Sequence, residues 1–164
     1  MSGRIASAAI SSLASAGIVC CVLAVQPSIR AQQAPEPPLD HASRSVWDGV
    51  YTADQAKRGE ALYVQECAMC HGATLKDGEL ATPLAGEAFR QEWNGHSAGD
   101  LFERMRTTMP EGAPGKLSGQ EYADVLAHVL SVNEFPAGTS ELESSTELLK
   151  QIRIEAMKPA DKSP

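Results

Sequence analysis

Cys67-Ala68-Met69-Cys70-His71 constrains this chain more than any other stretch. Two cysteines separated by two residues and followed at once by a histidine have the spacing that covalent haem attachment requires. The two thiols add across the two vinyl groups of the porphyrin and become thioethers. The two intervening residues set the span between those vinyls. The histidine follows directly because the same turn must swing its imidazole under the iron as an axial ligand. A chain with this motif has to fold around a large, flat, apolar group, and its cofactor-binding residues begin with Cys67, Cys70 and His71.

Two other chemistries use the same letters. A thioredoxin-like dithiol needs a preceding strand in a βαβ setting, whereas the residues before Cys67 read as helix. A structural zinc site needs a second ligand pair, and the other two cysteines, Cys20 and Cys21, lie in a stretch that reads as a leader. Haem c, one group covalently bound, is the cofactor expected.

Residues 1–31 carry Arg4 and Arg30, no acid, and an apolar run from Ala8 to Val25 that ends in Pro27 and Ala31. A basic start, an apolar centre and a small residue at the cut have the plan of a secretory signal. A lipid-anchored leader fits poorly, because Val19 precedes Cys20 where a small residue belongs. An uncleaved leader would anchor the chain in a membrane. Cleavage after Ala31 leaves 133 of the 164 residues and takes the net charge from −7 to −9. That is enough chain for one domain, and every remaining cysteine is then consumed by haem. Export to the periplasm matches the chemistry, since haem c is attached on the oxidising side of the membrane. The acidity argues against nucleic acid and for a docking protein with a basic patch, although acidity also serves solubility alone.

Residues 32–51 read as a flexible lead-in. Its first part (32–45) is proline-rich and polar, and the short aromatic segment Val46–Tyr51 is expected to pack on the domain. The domain itself is placed at 52–135. Thr52 and Gln55 have the spacing of a capping box, with Gln55 reaching back, and predict a helix to about Glu66. Ala56, Gly59, Leu62 and Tyr63 share one face of it. A glycine there costs about 1 kcal/mol relative to alanine and points to close approach by another helix. A glycine-punctuated loop is expected from Gly72 to Gly86. Ser97 with Asp100 starts a second helix, which must end before Pro110. Ser118 with Glu121 starts a third, whose Tyr122, Val125, Leu126 and Val129 form a core-facing stripe. Residues 136–164 read as a tail. Within it, Ser144–Lys150 has the makings of a short helix, and Ile152 and Ile154 alternate with charges in a pattern that can lie extended on the domain. The fold class expected is all-α, with three main helices and long loops wrapped around one haem.

An electron carrier needs iron that keeps six ligands in both oxidation states. Histidine with methionine does this and raises the potential. Met69 lies between the anchoring cysteines. Met105 lies within an amphipathic helix and reads as core, and Met157 lies in the tail. Met109, in Thr107-Thr108-Met109-Pro110, follows a helix and comes 38 residues after His71, ample chain to cross the haem. It is the methionine expected on the iron. Of the histidines, His41 falls in the lead-in, His96 in a polar turn, and His128 beside the third helix's apolar stripe.

These features resemble class I cytochrome c over about residues 52–133. They are Gly59 and Tyr63 on the first helix, the attachment motif, Met109-Pro110, and Asp124–Val129 on the last helix. The resemblance implies that the first and last helices cross with Gly59 at the contact. It implies that Pro83 offers its carbonyl to the proximal imidazole, and that Trp93 lies near a haem propionate. His128 stands where the family usually has an aromatic residue. The wider pattern, from Val46–Tyr51 through Asp100-Leu101-Phe102 to Phe135–Gly138, is similar to bacterial cytochromes associated with quinoprotein (PQQ) dehydrogenases. That similarity implies electrons arriving from such a dehydrogenase and leaving to an oxidase or another cytochrome. The protein would then be a carrier and not an enzyme, whether free or as the cytochrome subunit of a dehydrogenase complex. The rival is a haem sensor or peroxidase-like enzyme with an open sixth position, which needs Met109 off the iron.

Overall fold

The computed structural model describes residues 44–159. The leader, His41 and the final residues lie outside them. Six helices form among the described residues: α1 (Ala53–Glu66), α2 (Ala68–His71), α3 (Glu87–Trp93), α4 (Ala98–Thr108), α5 (Gly119–Val132) and α6 (Thr146–Leu149). Sheet is confined to two residues each in β1 (Arg44–Ser45) and β2 (Ile152–Arg153), which pair in parallel. The fold is all-α, with α1, α4 and α5 the longest helices. No helix among the described residues is long and apolar enough to cross a membrane.

The helix starts follow from side chains that satisfy orphan amides. Ser97 with Asp100 and Ser118 with Glu121 each make a reciprocal capping box, opening α4 and α5. Thr52 accepts from the Gln55 amide at 3.1 Å and opens α1. Gln55 does not reach back, contrary to expectation. Its fully buried side chain donates to the Leu142 carbonyl at 3.1 Å and accepts from the Leu142 amide at 2.7 Å. A buried amide must satisfy both its donor and its acceptor, and a backbone peptide unit offers one of each.

Helices α1 and α5 cross at Gly59. A Cβ there would stand 1.8 Å from the Asp124 carbonyl oxygen, so only glycine permits the approach. Arg58 clamps the crossing with two bonds to the Asp124 carboxylate, at 3.0 and 3.1 Å, and two to Glu141. Phe102, Leu126, Leu130, Leu149 and Ile154 are fully buried around this frame, each burial contributing about 1.5–3 kcal/mol.

One placement departs from the sequence reading, and two others extend it. Helix α3 begins directly after Gly86, where no helix was expected, because Phe89 and Trp93, one turn apart, both bury. Val46–Tyr51 packs on the domain as expected, and Arg44 and Ser45 join it: Trp47 sets its ring edge on Phe135 at 4.9 Å and donates to the Glu155 carbonyl. The tail is packed as well. Leu142, Leu149, Ile152 and Ile154 are buried, and α6 lies on α4. Composition marks these ends as polar, but four apolar side chains spaced through the tail give it a face to bury.

Candidate functional site

The chain arrives at the motif at the end of α1. Cys70 and His71 both donate their amides to the Cys67 carbonyl, at 3.1 and 3.0 Å, closing the single turn of α2. Positions i, i+3 and i+4 of a turn share one face, so Cys67, Cys70 and His71 are presented together. Met69, between them, is 88% exposed. Both thiols are free and half-buried. Burial, with the charges of Glu66 and Cys70, pushes the Cys67 thiol up to about 11. The nucleophile of a redox dithiol needs the opposite shift, so the site does not suit that chemistry.

A cleft lies where this turn and the loop at 81–84 meet α3, α4 and α5. Cys67, Cys70, His71, Pro83, Trp93 and Met109 all line it. Its empty space, open mouth and adjoining solvent included, is about 1190 Å³. Leu101, Leu117, Val125 and Val129 give it an apolar lining.

His71 is buried, and its Nδ1 lies 2.9 Å from the Thr82 carbonyl. A carbonyl only accepts, so Nδ1 carries the proton and Nε2 keeps its lone pair for a metal. Such an outer bond orients the ring and raises its basicity. The carbonyl is that of Thr82 and not, as the resemblance implied, that of Pro83. Pro83 acts one step back, by confining the preceding residue to extended geometry and so fixing where the Thr82 carbonyl points. The loop is held from two sides. Gly78 packs so closely on the motif that a Cβ would meet the Cys70 carbonyl oxygen at 2.4 Å. Asn133, at the end of α5, donates to the Leu84 carbonyl at 2.9 Å and accepts from the Gly86 amide at 3.0 Å.

Met109 enters the cleft from a different wall. It is the C-cap of α4, its amide bonded to the Met105 carbonyl at 2.9 Å and its backbone turned extended (φ −123°, ψ 153°). The Tyr122 hydroxyl donates to the Met109 carbonyl at 2.7 Å. Met105 is half-buried against the core and also lines the cleft. Trp93 is buried between the rings of Phe89 and His96. His96 is exposed and His128 half-buried, the latter 5.3 Å from the Tyr63 ring, in the place where the resemblance has an aromatic residue. Neither lines the cleft. Thr82, Tyr122 and Asn133 were not singled out from the sequence. Tyr122 was legible only as one residue of the core stripe, and Asn133 only as a helix end.

An apolar cleft with an attachment turn, a preset imidazole and a thioether at its walls resembles the haem c site of class I c-type cytochromes. Residues 54–129 match the family described as cytochrome c oxidase, cbb3-type, subunit III. The cytochrome bc1 complex cytochrome c subunit of Corynebacterium diphtheriae is 32% identical over 97 residues, which cover 55% of this chain and 31% of that protein. The match thus spans about a third of the relative's length. No solved structure matches the chain. The residues fit the cofactor: His71 has Nε2 free for iron, and the lining is apolar where a porphyrin face would lie.

Proposed function

We propose that this chain is an exported, monohaem carrier of single electrons, with haem bound through thioethers at Cys67 and Cys70 and the iron held by His71 and Met109. The observation that carries the reading is the cleft shared by a His71 whose Nδ1 is tied to Thr82 and a Met109 delivered by the end of α4. Haem, once bound, supplies a one-electron Fe(III)/Fe(II) couple. The chain's own residues do the rest. Thr82 keeps the His71 ring in one tautomer. The neutral, soft Met109 sulfur favours the reduced state. Leu101, Val125 and Val129 keep water from the cleft interior, which limits rearrangement when charge changes. Trp93 stands at the cleft wall where a propionate would need a donor.

The net charge of −9 that removal of residues 1–31 would leave fits redox partners that dock through basic patches. The donor proposed is a periplasmic dehydrogenase of the quinoprotein kind, on the Val46–Tyr51 and Phe135–Gly138 pattern, and the acceptor an oxidase or a second cytochrome. A second reading of the partner has its own support: the relative's name makes that protein a subunit of a bc1 complex. A respiratory complex is then the alternative neighbour. Copurification with membranes bearing such a complex would favour it over a freely exchanging carrier.

The deciding experiment is to express the protein with haem c maturation machinery and record oxidised and reduced spectra, adding carbon monoxide to the reduced form. A low-spin reduced spectrum, a methionine–iron charge-transfer band when oxidised, and indifference to carbon monoxide support the carrier. Carbon monoxide binding moves the case to the open-site sensor or peroxidase-like enzyme.

A further inference from the structure

Tyr122 makes contacts that its place in a core stripe does not require. Its ring is 2% exposed and lines the cleft. Its hydroxyl donates to the Met109 carbonyl at 2.7 Å and accepts from the Gly115 amide at 3.1 Å. Those two backbone groups stand at the two ends of the 109–115 loop, so one oxygen closes the loop on itself and fastens it to α5. Just past the loop, Lys116 bonds the Glu66 carboxylate at 2.7 and 2.8 Å, next to Cys67. That lysine side chain is 53% exposed, and exposed pairs are weakened by solvent and salt. The hydroxyl is part-buried and not so easily replaced by water. A phenylalanine would fill the same volume, so packing alone does not explain the oxygen.

We propose that Tyr122 is a positioning residue for the sixth ligand: it clamps the 109–115 loop so that the Met109 sulfur stays over the cleft. The proposal rests on the reading of Met109 as an iron ligand.

The test uses the full holoprotein carrying Tyr122→Phe. Imidazole is titrated into the ferric form while the methionine–iron charge-transfer band is followed. Loss of the clamp is expected to tighten apparent imidazole binding about tenfold, the scale of one lost buried hydrogen bond. Amide hydrogen exchange is read alongside, with the Gly115 amide expected to exchange about tenfold faster. Arg58→Ala, which loosens the α1–α5 crossing away from this loop, is expected to leave both readouts within about twofold. A wild-type protein with its band present, but with imidazole affinity and Gly115 exchange unmoved by Tyr122→Phe, overturns the clamp and leaves Met109 as ligand. Equal movement by Arg58→Ala overturns it too, by showing general loosening. A wild-type protein with no methionine–iron band overturns the ligand reading and the proposal with it. If Tyr122→Phe does not accumulate as holoprotein, the wild-type amides decide. Gly115 protected about tenfold over Gly112 in the same loop supports the clamp, and equal exchange overturns it.

Discussion

His71 and Met109 reach the same cleft from parts of the chain that are held in different ways. His71 stands on the same helical turn as Cys67 and Cys70, and its Nδ1 partner, Thr82, is eleven residues on. Met109 stands where α4 ends, and its place depends on Tyr122, thirteen residues later on another helix. Helix α5 serves both sides, with Tyr122 near its start holding the methionine loop and Asn133 at its end holding the loop of Thr82 to Gly86. The histidine side would be reinforced by two covalent bonds. The methionine side has only non-covalent ties. Loosening the methionine loop itself should therefore release Met109 while His71 stays in place.

The sharpest way to break this contrast is to remove the covalent side. Replacing both Cys67 and Cys70 with alanine is expected to abolish haem that survives denaturing electrophoresis. Met109→Ala is expected to keep that haem, lower the reduction potential by at least about 60 mV, and open the reduced iron to carbon monoxide. That shift corresponds to about a tenfold change for a one-electron couple. An unchanged potential sinks the assignment of Met109. Gly59→Ala attacks the frame beneath both sides. Its Cβ has to displace backbone of α5, so a loss of about 3 kcal/mol or somewhat less is expected in denaturant unfolding. Asn133→Ala leaves the Leu84 carbonyl and Gly86 amide without their partner. It is expected to cost about 2 kcal/mol and to speed exchange of the Gly86 amide, with the Gly115 amide unaffected. If both amides respond together, the two sides are one unit and the contrast fails.

The smallest effect is expected at His128. Burial holds its imidazole below the usual value of 6.5, with the Glu60 charge acting weakly the other way. The folded protein thus favours the neutral ring. The unfolded chain binds the proton more readily, so this contribution is intact above about pH 6.5 and is lost as pH falls through the folded value. His128→Phe, which restores an aromatic against Tyr63, is expected to flatten the acid slope of stability in urea titrations at several pH values. A slope that stays the same assigns it to other groups.

Much of the site was legible before folding because it is written in short spacings. The attachment turn needs five consecutive residues, and the caps at Ser97 and Ser118 need four. The Gly59 contact was legible because a helix-interior glycine is costly unless something comes close. Helix α3 was not legible, since its seven residues offer only Phe89 and Trp93 as an apolar face and follow a glycine-rich loop. Gln55 was misread because its local role, the capping box, competes with a buried partner that lies 87 residues away.

By itself the sequence pointed to the chemistry: the residues proposed to attach and ligate haem, and where the main helices begin. Those depend on side-chain spacing within one or two turns, which the covalent chain sets directly. Tertiary structure alone decided which carbonyl meets His71, what holds the methionine loop, and which partner the Gln55 side chain takes. Each of these depends on a polar group finding its partner beyond its own helical turn, from eleven to 87 residues away. Many partners of equal local merit exist, and only the packed core selects among them.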